Sequence, residues 1–537
     1  MANKKLQVWL PLLFSMILIA GMYFGFRLRE NTPAGTGFFK TDRKTSLQEI
    51  LDLVKTRYVD SVNLDSLQLN AINEMMNELD PHSVFIPSGS LQEINDDMAG
   101  NFEGIGVEFN FFYDTVHIVH VLANGPSDKA GLQVGDKLIK VNNENITGPA
   151  IKTEDVKKRI KGPRGTSVDI LVLRNSEAKE FKIIRGTIPL PALDAAYMLD
   201  INTGYIKLNK FSETAYEEFM KALEGLQKNP MKKLVLDLRD NGGGLMNEAV
   251  DIADEFLSDD KLVVFTEGQN VKRREYRCKR PGLFEEGELV VLVDELSASA
   301  SEVLAGALQD WDRAIIIGRR TFGKGLVQEQ YSLRDGGAIR LTVARYFTPV
   351  GRSIQRSYNK GKKEYIDDFL ERYNNGELVN ADSIKNGNEK MFVTKLKKRK
   401  VFGGGGITPD FFVAIDTAAI GKNTIRLFNS GALNNFMYKY YLQQRSELNN
   451  FKNAGDFLSG YNNQENAWKA LVEFSAKDTI DLKNISSEDK AYVQKRIKAH
   501  LARYQWRTEG YYEVLNSFDP AIKKAMEELA KTKKQPD

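Results

Sequence analysis

The chain has 537 residues, of which 42% are hydrophobic and 27% charged, so it holds enough apolar material for several cores and is not a disordered protein. Its 75 basic and 72 acidic residues give a net charge of only +3, which does not support binding to nucleic acid. Cys278 is the only cysteine, which excludes a disulfide framework within the chain.

An apolar, uncharged run covers residues 8–26, directly after Lys4 and Lys5. It matches the roughly 20 residues that a helix needs to cross a bilayer. A cleaved signal peptide has a shorter apolar run and a small-residue cleavage site, and no such site follows here. We therefore predict an uncleaved membrane anchor over residues 1–30, with a cleaved signal as the alternative.

Two contrasting segments follow the predicted anchor. Residues 46–79 repeat apolar side chains at helical spacing until Pro81, which predicts a helical N-terminal segment over 45–100. From residue 102 the pattern changes to short β-rich runs such as "GIGVEFNFF" and "TSVDILVLR", separated by Gly, Pro and Asn. This pattern predicts a compact β domain over residues 101–190.

The rest of the chain is predicted to form two further domains. Apolar runs such as "KKLVLDLRD" and "GELVVLVD" alternate with helical stretches, which is typical of a buried, largely parallel sheet and predicts an α/β core over 191–415. Within it, residues 356–400 are polar and have the character of an insertion. Amphipathic helical stretches after residue 420 predict an α-helical domain over 420–537, so the fold class is multidomain α+β.

The stretch "VVLVDELSASASEVLAGALQD" places three serines between a strand that ends at Asp294 and a helix that starts near Ser301. A side chain at such a turn lies beside free helix amides, which favour developing negative charge. One of these serines is therefore a candidate nucleophile. Because Ser is also a common helix cap, the serines alone leave both interpretations open.

A serine nucleophile needs a base, and histidine is an improbable one here. The four histidines all lie outside the strand–helix region: His82, His117, His120 and His500. Lysine is the alternative, but its free pKa of about 10.4 means that it must be desolvated to act near neutral pH. Lys324 in "FGKGL" follows the apolar run "AIIIG" and has no acidic neighbour within four positions.

The same lysine ends "GRRTFGK", which is close to the phosphate-binding loop of nucleotide hydrolases. That loop requires Ser or Thr after the lysine and then a helix. Gly325 and the strand-like "LVQEQYSL" satisfy neither requirement. A glycine turn at residues 242–244 could also accommodate an oxyanion or a phosphate.

Together, "DLRDNGGG", "SASASEVLAGALQD" and "IIGRRTFGKGLVQ" resemble the carboxy-terminal processing peptidases, also called tail-specific proteases. "LDPHS", "GRSIQ" and "GITPD" occur in the same order as in that family, and the resemblance covers about residues 45–415. It implies a serine endopeptidase with a Ser-Lys dyad and no metal or cofactor. The implied site comprises the nucleophile Ser299, the general base Lys324, the lysine-orienting Gln328, and oxyanion-hole amides from Ala300 and either Gly243 or Gly244.

The β domain, in turn, resembles a PDZ domain. The stretch "GIGV" is similar to the PDZ loop whose amides bind a free C-terminal carboxylate while the peptide adds to the sheet as a strand. The implied binding residues are Gly104, Ile105, Gly106 and Val107. The implied partners are proteins or peptides with free C-termini, and an adaptor or a homo-oligomer is compatible with the resemblance.

The family usually acts outside the cytoplasm, so the predicted location is a bacterial inner membrane, crossed once, with the catalytic part in the periplasm. Two other functions are considered: a non-catalytic PDZ scaffold with a decayed peptidase domain, and a nucleotide hydrolase. A serine-reactive probe that labels Ser299 would distinguish the peptidase from both.

Overall fold

The structure is a computed structural model that describes residues 3–30, 45–384, 390–415 and 420–531. Residues 385–389 of the predicted insertion and residues 532–537 of the predicted helical domain therefore lie outside the described residues. The chain divides into two compact units, Met1–Met75 and Met76–Asp537.

The first part of the chain is helical. Its helices are α1 (Asn3–Glu30), α2 (Ser46–Arg57) and α3 (Leu64–Asn77). A capping box starts α2: Thr45 N–H donates to Gln48 Oε1 at 2.9 Å, and Gln48 N–H donates to Thr45 Oγ1 at 3.5 Å. The extended backbone of Tyr58 ends α2, so the helical pattern over 46–79 forms two helices.

The predicted membrane anchor is not supported by these helices. Within the described ranges, none of them has the length and the apolar character that crossing a bilayer demands. This finding contradicts the single-pass anchor predicted at residues 1–30. It likewise contradicts the predicted place in a bacterial inner membrane with a periplasmic catalytic part, since both depended on the apolar run at residues 8–26.

An antiparallel β domain follows a short connecting segment. The connecting segment contains β1 (Val84–Ile86) and α4 (Ser88–Ala99). The elements of the β domain, in order, are β2 (Asn101–Gly104), β3 (Val107–Phe112), β4 (Thr115–Val121), α5 (Pro126–Ala130), β5 (Lys137–Val141), β6 (Glu144–Asn145), α6 (Thr153–Ile160), β7 (Ser167–Arg174), β8 (Glu177–Ile184) and β9 (Gly186–Pro189).

In the β domain, the strand order is β3-β4-β5-β7-β8, with β6 beside β5, so β3 lies at an edge. Alternate residues of β7 point into the core, where Val168, Ile170 and Val172 pack with Ile118 and Leu138. The pair β2–β9 joins the entry and exit of the domain in antiparallel register.

The α/β core contains two sheets. Its elements up to the insertion are β10 (Leu193–Met198), β11 (Thr203–Leu208), α7 (Ala215–Gln227), β12 (Lys233–Asp237), α8 (Met246–Asp254), β13 (Leu262–Glu267), β14 (Arg274–Arg277), β15 (Glu288–Val293), α9 (Ala300–Asp310), β16 (Ile315–Gly318), β17 (Leu326–Ser332) and β18 (Ala338–Phe347).

The insertion and the end of the core add α10 (Lys362–Ile366), α11 (Asp368–Asn374), a 3₁₀ helix (Ala381–Ser383), β19 (Met391–Val393), β20 (Lys400–Phe402) and β21 (Phe411–Phe412). The larger sheet has the order β10-β11-β12-β15-β16-β21. The strands β11, β12, β15, β16 and β21 run parallel to one another, and the edge strand β10 runs antiparallel to them. Because β12 and β15 are adjacent, the turns after their carboxyl ends lie side by side.

The second sheet has the order β1-β18-β13-β14, with β17 also paired to β18. Helix α9 packs between the sheets, and all its residues from Ala300 to Asp310 are buried. Strand β16 belongs to the larger sheet and β17 to the second sheet, so the loop that joins them crosses from one sheet to the other. This loop contains Lys324.

The insertion packs against this loop, although its sequence is polar. Arg372 in α11 is 2% exposed and donates to the carbonyl oxygens of Arg320 at 3.0 Å and Thr321 at 2.9 Å. The insertion thereby supports the segment that precedes Lys324.

The predicted helical C-terminal region is confirmed. Its helices are α12 (Lys422–Asn429), α13 (Ala432–Leu448), α14 (Ala454–Gly460), α15 (Gln464–Ala476), α16 (Ser487–Asn516) and α17 (Pro520–Lys531). The helices α12 to α16 share a core of their own. By contrast, α17 packs Ile522 and Leu529 against Val235, Val290 and other residues of the larger sheet. One face of that sheet is thus covered by α7, α8 and α9, and the other by α17.

Candidate active site

Ser299 occupies a strained turn between β15 and α9. Its backbone has φ 55° and ψ −114°, a conformation that costs a non-glycine residue about 1–3 kcal/mol. The neighbouring serines are fully buried, and their hydroxyl groups donate to main-chain oxygens: Ser297 to Leu238 at 2.8 Å and Ser301 to Asn241 at 2.9 Å. Ser299 is half-buried, so of the three serines it is the one that is accessible to solvent.

Glu302 joins this turn to the loop that carries Lys324. Its buried carboxylate accepts the backbone N–H of Ser299 at 2.9 Å, of Gly323 at 2.7 Å and of Lys324 at 2.8 Å. The hydroxyl of Thr321 adds a fourth bond at 2.5 Å. Burial raises the pKa of Glu302 to about 6, and the four hydrogen bonds partly oppose this shift.

Lys324 presents its amine to a neutral partner. Its Nζ donates to Gln328 Oε1 at 3.0 Å, and Nζ forms no ion pair among the described residues. Burial lowers the pKa of the Lys324 amine, and the positive charge of Arg340 lowers it further. The amine is therefore placed in an environment that favours its neutral form.

Gln328 is itself held by the turn that contains the "LDPHS" motif. Its Nε2 donates to the carbonyl oxygen of His82. The imidazole Nε2 of His82 lies 2.8 Å from the hydroxyl of Tyr365, which belongs to the insertion. Burial lowers the pKa of His82 to about 4, so this imidazole is neutral at physiological pH.

The structure brings Ser299 and Lys324 together through their backbones. The hydroxyl of the buried Tyr346 lies within hydrogen-bond distance of both carbonyl oxygens, 3.0 Å from that of Ser299. In the described part of the chain, however, no hydrogen bond joins Ser299 Oγ to Lys324 Nζ. Catalytic hydrogen bonds are often long without substrate and tighten in the reacting complex.

The predicted oxyanion hole takes the amide of Ala300 and that of either Gly243 or Gly244, and these three amides differ in availability. Gly243 lies directly against Ser299: a Cβ added to it would be 2.7 Å from Ser299 Cβ and 2.9 Å from Ala300 N. Its own N–H already donates to Asn241 Oδ1 at 2.9 Å. The N–H groups of Ala300 and Gly244 donate no hydrogen bond within the described ranges.

The predicted tail-binding residues run from Gly104, the last residue of β2, to Val107, the first residue of the edge strand β3. Gly106 has φ +75°, and a Cβ there would approach Ile188 Cδ1 to 3.1 Å, so this position favours glycine. The carbonyl oxygens of Ile105 and Gly106 accept hydrogen bonds from Ser127 and Leu122. The N–H groups of the same two residues donate none within the described chain, which leaves them for a ligand.

Sequence reasoning missed three residues of this site: Glu302, Tyr346 and Tyr365. Glu302 carried a signal, because Ser299 and Glu302 form the S-x-x-E pattern of a capping box. No local pattern distinguishes Tyr346 or Tyr365, since each contacts the site from an element remote in sequence.

Comparison with known proteins shows the family of the chain. The model of Peptidase family S41 matches residues 202–361, a PDZ domain model matches 117–174, and a family of unknown function matches 424–507. The carboxy-terminal-processing protease of Bartonella bacilliformis is 36% identical over 57% of this chain and 71% of its own length. A probable CtpA-like serine protease of Staphylococcus aureus is 32% identical over 67% of this chain and 73% of its own.

Among solved structures, the photosystem II D1 C-terminal processing protease is 29% identical, with a TM-score of 0.33, over 58% of this chain and 84% of that one. The relatedness in sequence extends over most of the length of the curated relatives. The chain therefore belongs to the carboxy-terminal processing peptidases of Peptidase family S41, and it is a serine-type peptidase that carries a PDZ domain.

Proposed function

We propose that this peptidase cleaves proteins near their C-termini with a dyad of Ser299 and Lys324. In this proposal Gln328 orients the lysine, and the loop Gly104–Val107 binds the free carboxylate of the substrate tail. The catalytic and tail-binding functions are assigned to the regions 191–415 and 101–190.

The environment of the Lys324 amine is the observation that carries this proposal. A general base must be unprotonated, and a lysine reaches that state near neutral pH only when it is desolvated and unpaired. The amine meets both conditions, since its partner is the neutral side chain of Gln328. Glu302 bonds to the backbone of Lys324 and not to its amine, so it positions the loop without an ion pair.

In the reaction, neutral Lys324 accepts the hydroxyl proton of Ser299 while Oγ attacks the scissile carbonyl carbon. The carbonyl oxygen becomes an oxyanion, and the C–N bond then breaks as the protonated lysine returns its proton to the leaving amine. Water repeats the sequence on the acyl-enzyme, with Lys324 again as base, and releases the shortened protein and free Ser299.

The amides of Ala300 and Gly244 are the donors we assign to the oxyanion. Both are free within the described ranges, and Ala300 is the first residue of α9, where helix amides favour negative charge. Gly243 contributes shape: with no side chain, it lets its backbone approach Ser299.

Neither alternative function is favoured by an observation. Intact Ser299, Lys324 and Gln328 argue against a decayed scaffold. For a nucleotide hydrolase, the residues after Lys324 should open a helix, whereas they form β17.

A fluorophosphonate probe and a peptide-cleavage assay test the proposal. Wild type should be labelled at Ser299, and Ser299→Ala should lose labelling and about 10⁴-fold or more of the cleavage rate. Cleavage by purified Ser299→Ala at the wild-type rate would refute the assignment. Peptides with an amidated C-terminus should bind more weakly than free ones, and equal binding would refute the tail-recognition part.

A further inference from the structure

A cavity of about 650 Å³ lies beside the proposed tail-binding loop. One wall is the edge strand β3 with Val107 and Phe109, and a second is the PDZ helix α6 with Ile160. A third wall belongs to the helical domain, whose helix α16 contributes His500, Arg503, Tyr504 and Arg507. The groove in which a tail would add to β3 is thus completed by a domain outside the PDZ fold.

Two contacts fix the helical domain against this strand. Tyr438 of α13 is 1% exposed and stacks on Phe112 of β3, with ring centroids 4.3 Å apart and planes 13° apart. Arg507 of α16 forms an ion pair with Glu108 of β3. The position of α16 over the groove therefore follows from packing at one end of β3 and from charge at the other.

The backbone of α16 departs from helical geometry where it faces the groove. Trp506 has φ −123° and ψ 22°, and Arg507 has φ 62° and ψ −157°. Strained non-glycine residues persist where the surroundings over-determine them, and they are concentrated at functional sites. This kink lies at the residue that reaches Glu108.

The side chains of β3 alternate between the domain core and the groove exterior. Val107 and Phe109 pack toward the core, whereas Glu108 is exposed and faces α16. In a tail that adds to β3 as a strand, every second side chain shares the face of Glu108. Those side chains would meet α16.

The charges on this wall are unequal. Arg503 is exposed and has no ion pair in the described part of the chain, and Arg507 shares its one ion pair with Glu108. Three further carboxylates line other walls of the cavity, and each lies within 4.0 Å of a lysine amine: Glu93 of Lys157, Asp96 of Lys161 and Asp97 of Lys210. On the wall formed by α16, two guanidinium groups face the single carboxylate of Glu108, so the charge of Arg503 has no ion-pair partner among the described residues. Guanidinium groups bind carboxylates through paired, charge-assisted hydrogen bonds.

From these observations we propose that Arg503 and Arg507 form a binding position for a carboxylate side chain of the substrate tail. The enzyme then prefers proteins with an Asp or Glu near the C-terminus, on the face of the tail turned toward α16. The inference depends on the proposed recognition of the tail by Gly104–Val107, and it makes the helical domain a determinant of specificity.

Fluorescence anisotropy with the full chain carrying Ser299→Ala, which cannot cleave its ligand, provides the test. Labelled peptides with a free C-terminus carry Asp or Asn at each of their last four positions in turn. We expect Asp to bind about 3- to 10-fold more tightly than Asn, at alternate positions only. The preference should decrease at high salt.

Variants separate the proposed interaction from general charge effects. R503Q and R507Q should each weaken the preference, and together they should abolish it. Arg445→Gln, which removes an exposed arginine of α13 that does not line the cavity, should leave the preference intact. Glu108→Gln should increase the preference, because it frees Arg507 for the substrate.

Equal binding of Asp and Asn peptides by the Ser299→Ala chain with both arginines present would overturn the inference. A preference for Asp that remains in the double arginine variant would also overturn it. A Glu108→Gln variant that binds all peptides more tightly by the same factor would also overturn the inference. The ion pair would then restrict access to the groove and would not affect the choice between Asp and Asn. Equal binding of free and amidated peptides is a different failure, which rejects the proposed tail recognition itself.

Discussion

Replacing Glu302 with Gln tests how strongly Ser299 and Lys324, the proposed nucleophile and base, depend on one buried carboxylate. One of its oxygens accepts Thr321 Oγ1–H and Gly323 N–H, and the other accepts the N–H groups of Ser299 and Lys324. An amide keeps one oxygen and turns an NH₂ group toward two donors. Turned toward Thr321 and Gly323, the NH₂ group can donate to the threonine hydroxyl, and only the N–H of Gly323 is unpaired. Turned toward Ser299 and Lys324, it leaves both of their N–H groups unpaired. The cost is about 1–3 kcal/mol in the first orientation and about 2–6 kcal/mol in the second.

We expect Glu302→Gln to lower kcat at least tenfold with little change in KM, because the loosened loops no longer hold Lys324 near Ser299. Hydrogen exchange followed by mass spectrometry should show lost protection in peptides that contain the amides of Ser299, Gly323 and Lys324.

The matched control is Glu255→Gln, at another buried glutamate of the same core, which accepts one backbone N–H and the hydroxyl of Tyr216. It should lower the melting temperature and leave kcat and the exchange of the active-site peptides unchanged. Wild-type kcat together with wild-type exchange in Glu302→Gln would refute the reasoning.

Lys324→Arg should be as inactive as Lys324→Ala, because arginine keeps the charge but cannot release a proton, and appreciable cleavage by the arginine variant would exclude the lysine as base. In wild type, the cleavage rate should rise with pH through an ionisation below the ordinary pKa of lysine, since burial favours the neutral amine; a rate–pH profile without that ionisation would contradict the assignment. Ser297→Ala removes the buried hydrogen bond to Leu238 and should lower the free energy of unfolding by about 1–3 kcal/mol, which a lower melting temperature would show. The folded variant should keep its specific activity. Ile522→Asp in α17 should make the peptidase core sensitive to limited proteolysis, because it buries a charge against the sheet, whereas Lys523→Asp on the exposed side of the same helix should not.

The mixed α+β architecture, the PDZ domain and the helical C-terminal region could be predicted from the sequence, because each depends on local periodicity or on motifs. The turn that carries Ser299 was also predictable in outline, since a buried strand, small residues and a helix follow one another there. The local pattern does not choose among the three serines, and only the family resemblance points to Ser299. That choice depends on which hydroxyl groups reach Leu238 and Asn241, and those contacts are distant in sequence.

The insertion shows where composition misleads. Residues 356–400 are polar in sequence, yet Arg372 is almost fully buried, because main-chain oxygens of the loop before Lys324 accept its guanidinium protons. The burial of a charged residue that is paired in this way cannot be read from the pattern of apolar residues in the sequence. The docking of the helical domain on β3 was equally inaccessible, since it depends on contacts between residues remote in sequence, among them the stacked rings of Tyr438 and Phe112 and the ion pair of Arg507 and Glu108.

Helix α17 also affects when the enzyme becomes active during its synthesis. It covers one face of the sheet that positions Ser299, and the ion pair between Arg239 and Asp519 ties the preceding turn to the same sheet. Domains fold as their residues emerge from the ribosome, and a sheet with an uncovered apolar face is not yet stable. We therefore expect both faces of the sheet to be covered only after residue 531 has been translated, so a growing chain carries Ser299, the proposed nucleophile, for more than 200 residues before that point.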